Sequence, residues 1–549
     1  MRIFLLFAVI LTLGCAKQNS LTGGEKDITP PQVTSYDPPN LSTNFSGNRF
    51  EIEFDEFVQI KNISEQLIVS PFLEEPPEYS LKSKTLIIEW EEELLPNTTY
   101  QFNFGTAISD LNESNVNSDL LYVFSTGDLI DSLSISGKVL SAKDNTPIEG
   151  ASVMLYRGAS DSLPKTSLPD FFALTDKEGL FRLRYLPEGE FKLFVLSEES
   201  SNYTYDGPPE KIGFIADRIS SGIADSTETQ VFLAAFTEKD TTQFIAGTQK
   251  KDYGFYQAFF NLPTENPEII FKDVESGMVL PALNLLSTNR DTLTSWIPLY
   301  LKETPTEEIE VLIKDGEAIQ DTSFWYPEID PKFREEPKLK ITSNLQQKKL
   351  DRYDEIKINL SNPLEELDTT LIVILEDSLE IAPQMFKKSV SGLHFFIHLE
   401  KKPTSVYQVI MEEGAIKDLY GIYSDSTSFE FKLEEEEFYG DLTVAINDSL
   451  IQTDSNPVLK FTNDAGKVIK SLPLGGNNVS VFTNLRPKKY GLQILLDANG
   501  NGEWDTGNYS EGIQPEGRIF YPEEIDVRSN WDLEIDWTPA PIPYGVISK

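Results

Sequence analysis

The sequence has one cysteine and two histidines in 549 residues. A single cysteine excludes any disulfide within the chain, so its folded parts rest on their hydrophobic cores. So little His and Cys also leaves almost no raw material for Ser-His-Asp or Cys-His triads. Basic residues are scarce too: 47 Lys and Arg stand against 88 Asp and Glu, a formal net charge of −41. A surface of that sign repels phosphate backbones, so nucleic acid is not an expected partner. Beyond residue 15 nothing approaches the ~18 consecutive apolar residues of a membrane-spanning helix. What is present is 40 % hydrophobic residues, with 34 Phe and 21 Tyr. That is the composition of folded domains rather than of an acidic disordered chain, and length alone allows about three to five of them.

At the N-terminus Arg2 precedes an apolar run from Ile3 to Leu13, and Gly14 and Cys15 follow at once. A run of roughly 10 to 14 residues has the length of a secretory signal core and is too short to cross a bilayer. Leu11-Thr12-Leu13-Gly14-Cys15 resembles the bacterial lipobox, in which a small residue precedes the cysteine that is exposed and acylated; Thr12 stands where Leu is commoner. The resemblance implies a signal peptide over 1–14, a palmitate-type lipid anchor on Cys15, and an outer-membrane location on either the periplasmic or the cell-surface face. The competing reading makes Cys15 a small buried hydrophobe near an ordinary cleavage site. Several acyl chains would hold firmly, since each buried methylene adds about 0.8 kcal/mol. Residues 15–30 carry Gly23-Gly24, Ser, Lys and Asp without apolar period and read as a flexible stalk.

From there the pattern is one of strands. Arg49 to Phe57 alternates apolar and polar residues, as do Thr85 to Trp90 and, more loosely, Tyr100 to Phe104, each run closed by Pro, Asn, Gly or Asp. A period of two with turns every eight to twelve residues predicts antiparallel sandwiches. There is also an internal repeat. Tyr100, Gln101, Ala107, Ile108, Asp110 and Leu111 are echoed by Tyr407, Gln408, Ala415, Ile416, Asp418 and Leu419. Phe50 to Phe54 is echoed by Glu355 to Leu360, and Leu121 to Phe124 by Ser428 to Phe431. Two copies of one sandwich explain this economically.

The first copy, 31–128, resembles the Ig-like domains of bacterial surface-layer proteins through Pro30-Pro31, Phe54, Val58, Leu95-Pro96-Asn97-Thr98-Thr99-Tyr100, Asp110 and Phe124-Ser125-Thr126-Gly127. The second copy, 335–435, is more diverged. Residues 129–205 resemble the carboxypeptidase-regulatory or transthyretin-like sandwich through Gly137-Lys138-Val139, Pro147-Ile148-Glu149-Gly150-Ala151, Val153, Thr175-Asp176, Gly179, Phe181, Leu186-Pro187, Gly189 and Phe191. A similar plan recurs over 436–549, with Gly440, Val481, Leu485 and Tyr490 before the strand Gly491 to Leu496. Between them 206–334 is β-rich and unassigned. As a whole the chain resembles Ig-like lipoproteins of Bacteroidota, whose lipidated cysteine is followed by Thr-Gly-Gly, Lys-Asp and Pro-Pro, here Thr22-Gly23-Gly24, Lys26-Asp27 and Pro30-Pro31. The stretch Asp497 to Gly507 and Gln514-Pro515-Glu516 match that family too. The resemblance implies an all-β fold of tandem Ig-like and transthyretin-like sandwiches, and a place in the envelope rather than a chemistry.

One motif has metal-ligand spacing. Asp497, Asn499, Asn501 and Asp505 stand at positions 1, 3, 5 and 9 of a calcium loop, with Gly502 at position 6. Hard oxygens at every second residue can converge on one cation. Asn508 stands where a bidentate Glu would be and the flanks read as strands, so the alternative is an Asx-rich turn bonding its own backbone. His394 and His398 form an H-x-x-x-H pair, but Phe395 replaces the Glu of a zinc protease and the alternation predicts a strand with both in cross-strand or core positions. The acidic run Glu434 to Glu437 reads as a solvated linker. Asp-Ser/Thr-Leu triplets beginning at Asp131, Asp161, Asp291, Asp377 and Asp448 resemble the O-glycosylation acceptor of Bacteroidota envelope proteins.

These readings converge on a non-enzymatic, lipid-anchored scaffold or accessory subunit that holds other outer-membrane or envelope proteins, in assembly or export of membrane proteins among other tasks. Two alternatives belong to other classes: a surface adhesin or glycan-binding module, and a hydrolase with its site in 206–334.

Overall fold

The computed structural model describes residues 27–547 apart from 119, 199–201, 223–227, 252–253, 299–306, 317–318, 328–337, 448–455, 475–477 and 543; the signal segment and Cys15 lie outside the described residues. The fold is all-β, a series of tandem sandwiches. It divides into two compact units. One is built on the chain up to Thr237 together with Gly507–Pro515 and the residues from Ile542 on; the other takes Glu238–Thr506 and Glu516–Pro541.

Alternation explains each sandwich, because successive side chains of a strand point to opposite faces. In Arg49–Phe54 the residues Phe50, Ile52 and Phe54 are buried while Arg49 and Glu53 face water. That strand lies in a sheet ordered Val33–Asp37, Arg49–Phe54, Thr85–Glu89, Glu78–Lys82; a second sheet is ordered Ile68–Ser70, Thr99–Asn103, Leu121–Ser125. Between them Phe50 stacks on Tyr122 at 3.9 Å and meets Phe102 edge-on at 5.0 Å. Such ring pairs add about 0.5–1.5 kcal/mol each beyond the area they bury.

The first unit continues with a nine-stranded arrangement. Leu133–Ser141 pairs antiparallel with Leu180–Leu186 and parallel with Glu228–Thr237, so the domain runs past residue 205 to Thr237. Two distant segments complete it. Gly545–Ile547 pairs antiparallel with Gln230–Phe232. Within Gly507–Pro515 the buried ring of Tyr509 meets Phe194, Tyr205 and Phe214 at 5.5–6.0 Å, and the Gln514 amide donates to the Phe214 carbonyl at 2.9 Å.

The second unit holds three cores. The segment left unassigned is a small sandwich of two four-stranded sheets around Tyr256, Phe271, Ile313 and Trp325. Next comes a sandwich that repeats the strands of the first and adds Lys349–Leu350 and Leu379–Ile381 at the edges of its second sheet. Ile341–Ser343, Ile356–Leu360, His394–His398 and Met385–Lys388 take the places of the four strands of the first sheet, and Ile372–Glu376, Val406–Met411 and Thr427–Leu433 those of the second. The last sandwich follows the plan of the nine-stranded one: Gly440–Ile446 pairs antiparallel with Val479–Leu485 and parallel with Asp532–Trp537.

Candidate functional sites

The structure brings Asp497, Asn499, Asn501 and Asp505 together on the loop that leaves strand Lys489–Leu496. Asp497 is buried and accepts N–H bonds from Gly500 at 2.7 Å, Asn501 at 3.2 Å and Gly502 at 2.7 Å. Gly500 and Gly502 have φ of 75° and 77°, which only glycine adopts without strain. The side-chain amides of Asn499 and Asn501 both donate to one oxygen of Asp505 at 2.6 Å. Their own oxygens accept the N–H groups of Asn501 and Glu503. Glu516 closes the loop by accepting from the N–H groups of Ala498 at 2.8 Å and Asp505 at 3.1 Å. Asp497, Asn499 and Asn501 thus accept from the loop's own backbone and Asp505 from the two amides, and among the described residues no group of three or more His, Cys, Asp or Glu is placed to hold a metal ion. Glu516, named in the sequence only as part of a family motif, is the carboxylate that spacing alone did not connect to this loop.

His394 and His398 sit on strand His394–His398, on the same face. Four residues of strand separate them by about 13 Å, too far to share a cation. His394 is half-buried edge-on to Phe396, and His398 Nδ1 lies 2.8 Å from Glu355 across the sheet. The run Glu434 to Glu437 is more engaged than a linker: Glu434 pairs with Lys349 at 2.8 Å and Glu436 with Arg352 at 3.3 Å. Of the triplets, Ser162 and Ser378 are exposed, whereas Thr292 is half-buried in a strand.

Buried carboxylates mark the corners of the two Ig-like sandwiches. Burial pulls Asp110 upward in pKa, but N–H bonds from Asn112, Glu113, Ser114 and Asn115 outweigh it and hold the carboxyl below its ordinary range. Asp418, at the equivalent place, accepts from Tyr420, Ile422 and the Asn362 amide; there burial wins and raises it. Each copy also has a corner tyrosine accepting an N–H from five residues upstream, Tyr100 from Leu95 and Tyr407 from Lys402.

The first Ig-like sandwich carries a groove of about 790 Å³ lined by Glu74, Glu75, Glu78, Glu89, Glu91 and Glu92, with Trp90 in its wall. Glu78 and Glu89 oppose each other on one antiparallel rung, an unfavourable like-charge pair. Arg49 lies 3.4 Å from Glu89 and is shared with Glu51 at the same distance. Trp90 is buried against Phe45, Phe50, Phe102 and Phe124, and its buried indole N–H has no hydrogen-bond partner among the described residues. Glu78–Lys82 is the sheet's edge strand, exposed along its whole length. Sequence reading passed over this groove, although two acidic clusters, 74–78 and 89–93, frame the hairpin that makes it. A second hollow of about 370 Å³, in the last sandwich, is lined by Tyr521, Arg528 and Trp531 among carboxylates, with the Arg528 guanidinium 5.3 Å over the Trp531 ring.

No curated protein matches the chain. Among solved structures it is similar to the Bacillus anthracis TIE protein, at 11 % identity over 94 % of this chain and 76 % of that one, with a TM-score of 0.14. BcpA, the major pilin subunit of Bacillus cereus, gives 11 % identity over 75 % of this chain and 100 % of that one, TM-score 0.14. SGBP-B of a Bacteroides ovatus mixed-linkage glucan utilization locus, solved with a heptasaccharide, gives 9 % identity over 73 % and 95 %, TM-score 0.19. Scores this low carry no argument about use. Residues 27–126 match the bacterial Ig-like domain family, so the chain is an Ig-like domain protein whose matched domain is the sandwich that bears the glutamate groove.

Proposed function

We propose that the protein is a non-catalytic outer-membrane lipoprotein of the Bacteroidota Ig-like type, anchored through Cys15, with transthyretin-like sandwiches alternating with Ig-like ones. It holds other envelope proteins as a scaffold or accessory subunit. The observation that carries this reading is the duplicated plan: sandwiches with separate cores in series present many edges and loops from one tether. Affinity purification of the tagged native protein from mild-detergent membranes tests it, and stoichiometric co-purification with an outer-membrane assembly is expected. A free monomer that instead binds specific sugars on a glycan array would replace it with the glycan-binding reading, which the half-exposed Trp531 at its hollow favours. The Cys15→Ala protein is expected to leave the detergent phase; one that stays there as the parent does would remove the anchor.

For the loop from Asp497 to Asp505 the proposal is calcium. Turning the Asn499 and Asn501 amides would set their oxygens, in place of their N–H groups, beside the Asp505 carboxylate, and Asp497 begins the same loop. A ligand at about 100 times its Kd adds about 2.7 kcal/mol to the native state. Hydrogen exchange of amides 498–505 with calcium and with chelator decides it, and identical protection at millimolar calcium rejects the site.

A further inference from the structure

We propose that the glutamate groove of the first Ig-like sandwich, with the bare edge strand Glu78–Lys82 beside it, docks an extended Lys/Arg-rich segment of a partner protein by strand addition. The inference rests on the partner-holding reading above and gives one of its contacts a chemistry.

Four observations point there. The groove gathers six carboxylates, and among the described residues only Glu89 has an ion-pair partner, Arg49, which it shares with Glu51, so the charge is poorly balanced from within. Glu78 and Glu89 are opposed on one rung, an arrangement that a cation placed between them relieves. The fold does not demand this acidity. On the same rung of the second copy Met385 faces His398, and Leu399, Glu400, Lys401 and Lys402 follow where Trp90, Glu91, Glu92 and Glu93 stand in the first. Finally, Trp90 sets an aromatic ring in the groove wall, 4 % exposed, and ring faces attract cations.

The edge strand gives the orientation. Glu78 belongs to both groove and edge, and among the described residues no strand is paired on the outer side of Glu78–Lys82. Added main chain would take those ladder bonds, as in other strand-addition complexes. An extended segment repeats its side chains on one face about every 6.6 Å, so alternate Lys or Arg residues would face the carboxylates, and Tyr79 and Leu81, both exposed, would meet the intervening side chains on the other face.

The test titrates the full-length protein with a ten-residue peptide of alternating Lys and Thr, with its Glu/Thr counterpart, and with calcium chloride. One variant carries Glu75→Gln, Glu78→Gln and Glu91→Gln; a charge-matched control carries Glu380→Gln, Glu412→Gln and Glu413→Gln on the second unit. The Lys peptide should bind, protect amides 79–82 from exchange, and lose about ten-fold or more in affinity on the groove variant but about two-fold or less on the control. Equal loss on both variants would show diffuse attraction and overturn the proposal, as would binding of calcium with none of the peptide. Purification from membranes separates the two levels of the argument. Partners that stay with the groove variant while the peptide fails to bind overturn the groove alone, whereas no partner with the unsubstituted protein overturns the scaffold reading itself.

Discussion

The two Ig-like sandwiches share a ladder and differ in what they hang on it. On one rung the first copy sets Arg49 against Glu89; the second sets Glu355 against His398, with the carboxylate moved to the other strand. Inward, the copies agree: Phe50, Ile52 and Phe54 in one and Ile356, Ile358 and Leu360 in the other are buried at matching places. Burial fixes the inward face, since each large apolar side chain contributes about 1.5–3 kcal/mol. Outward rungs are worth a few tenths to 1 kcal/mol each, so their charge is free to differ and to serve a partner.

The buried corners give the largest contrast. In Asp110→Asn an amide replaces an acceptor facing fixed main-chain N–H groups, and the first copy should lose about 2–3 kcal/mol. Asp418→Asn should cost under about 1 kcal/mol, because the Asn362 amide facing it can turn and offer its oxygen. Denaturant unfolding followed by hydrogen exchange in each copy measures both, and equal losses would break the comparison. The corner tyrosines rank the other way. Tyr407 also donates to Glu376 at 2.8 Å, whereas Tyr100 only accepts from Leu95; Tyr407→Phe should therefore cost about 1.5–2 kcal/mol and Tyr100→Phe about 1 kcal/mol.

Acid should sharpen the same contrast. Asp418, raised by burial, favours its protonated state in the fold, so its contribution is lost as pH rises through the raised value and recovered on acidification toward about 4. Asp110, held low despite its burial, contributes above the ordinary carboxylate pKa and loses that only as pH falls below it. Between neutrality and about pH 4 the second copy should gain protection against exchange while the first does not, and Asp418→Asn should abolish the gain. The smallest effect is expected at the groove, where Glu78→Gln removes a like-charge rung and should stabilise the first copy by a few tenths of a kcal/mol; a loss of stability there would mean that Arg49 and Glu89 need Glu78.

Much of this was legible before any coordinates. The alternation of Arg49 to Phe54 and the echo of Tyr100 and Asp110 in Tyr407 and Asp418 are local patterns, and local patterns survive in sequence. The strand Glu228–Thr237 was not assigned to the sandwich it joins, because its parallel partner Leu133–Ser141 lies almost a hundred residues upstream and a parallel pairing leaves no turn to read. The loop from Asp497 to Asp505 was found by its spacing, while Glu516 joins it through a fold-back that spacing cannot report. The groove was missed for the opposite reason: in a chain with 88 acidic residues, any six of them look like solvated surface until a hairpin sets them around one hollow.

The first unit is finished by residues made long after the rest of it. Tyr509 fills the place against Phe194, Tyr205 and Phe214, and Gly545–Ile547 covers the free side of Gln230–Phe232. Synthesis runs from the other end, so the early sandwich stands with an aromatic hollow and an unpaired strand edge until more than two hundred further residues have arrived. A chain broken off at residue 506 would keep both wounds open and offer proteases and chaperones a mark of incompleteness. In the folded unit these two distant segments act as a seal on the early sandwich.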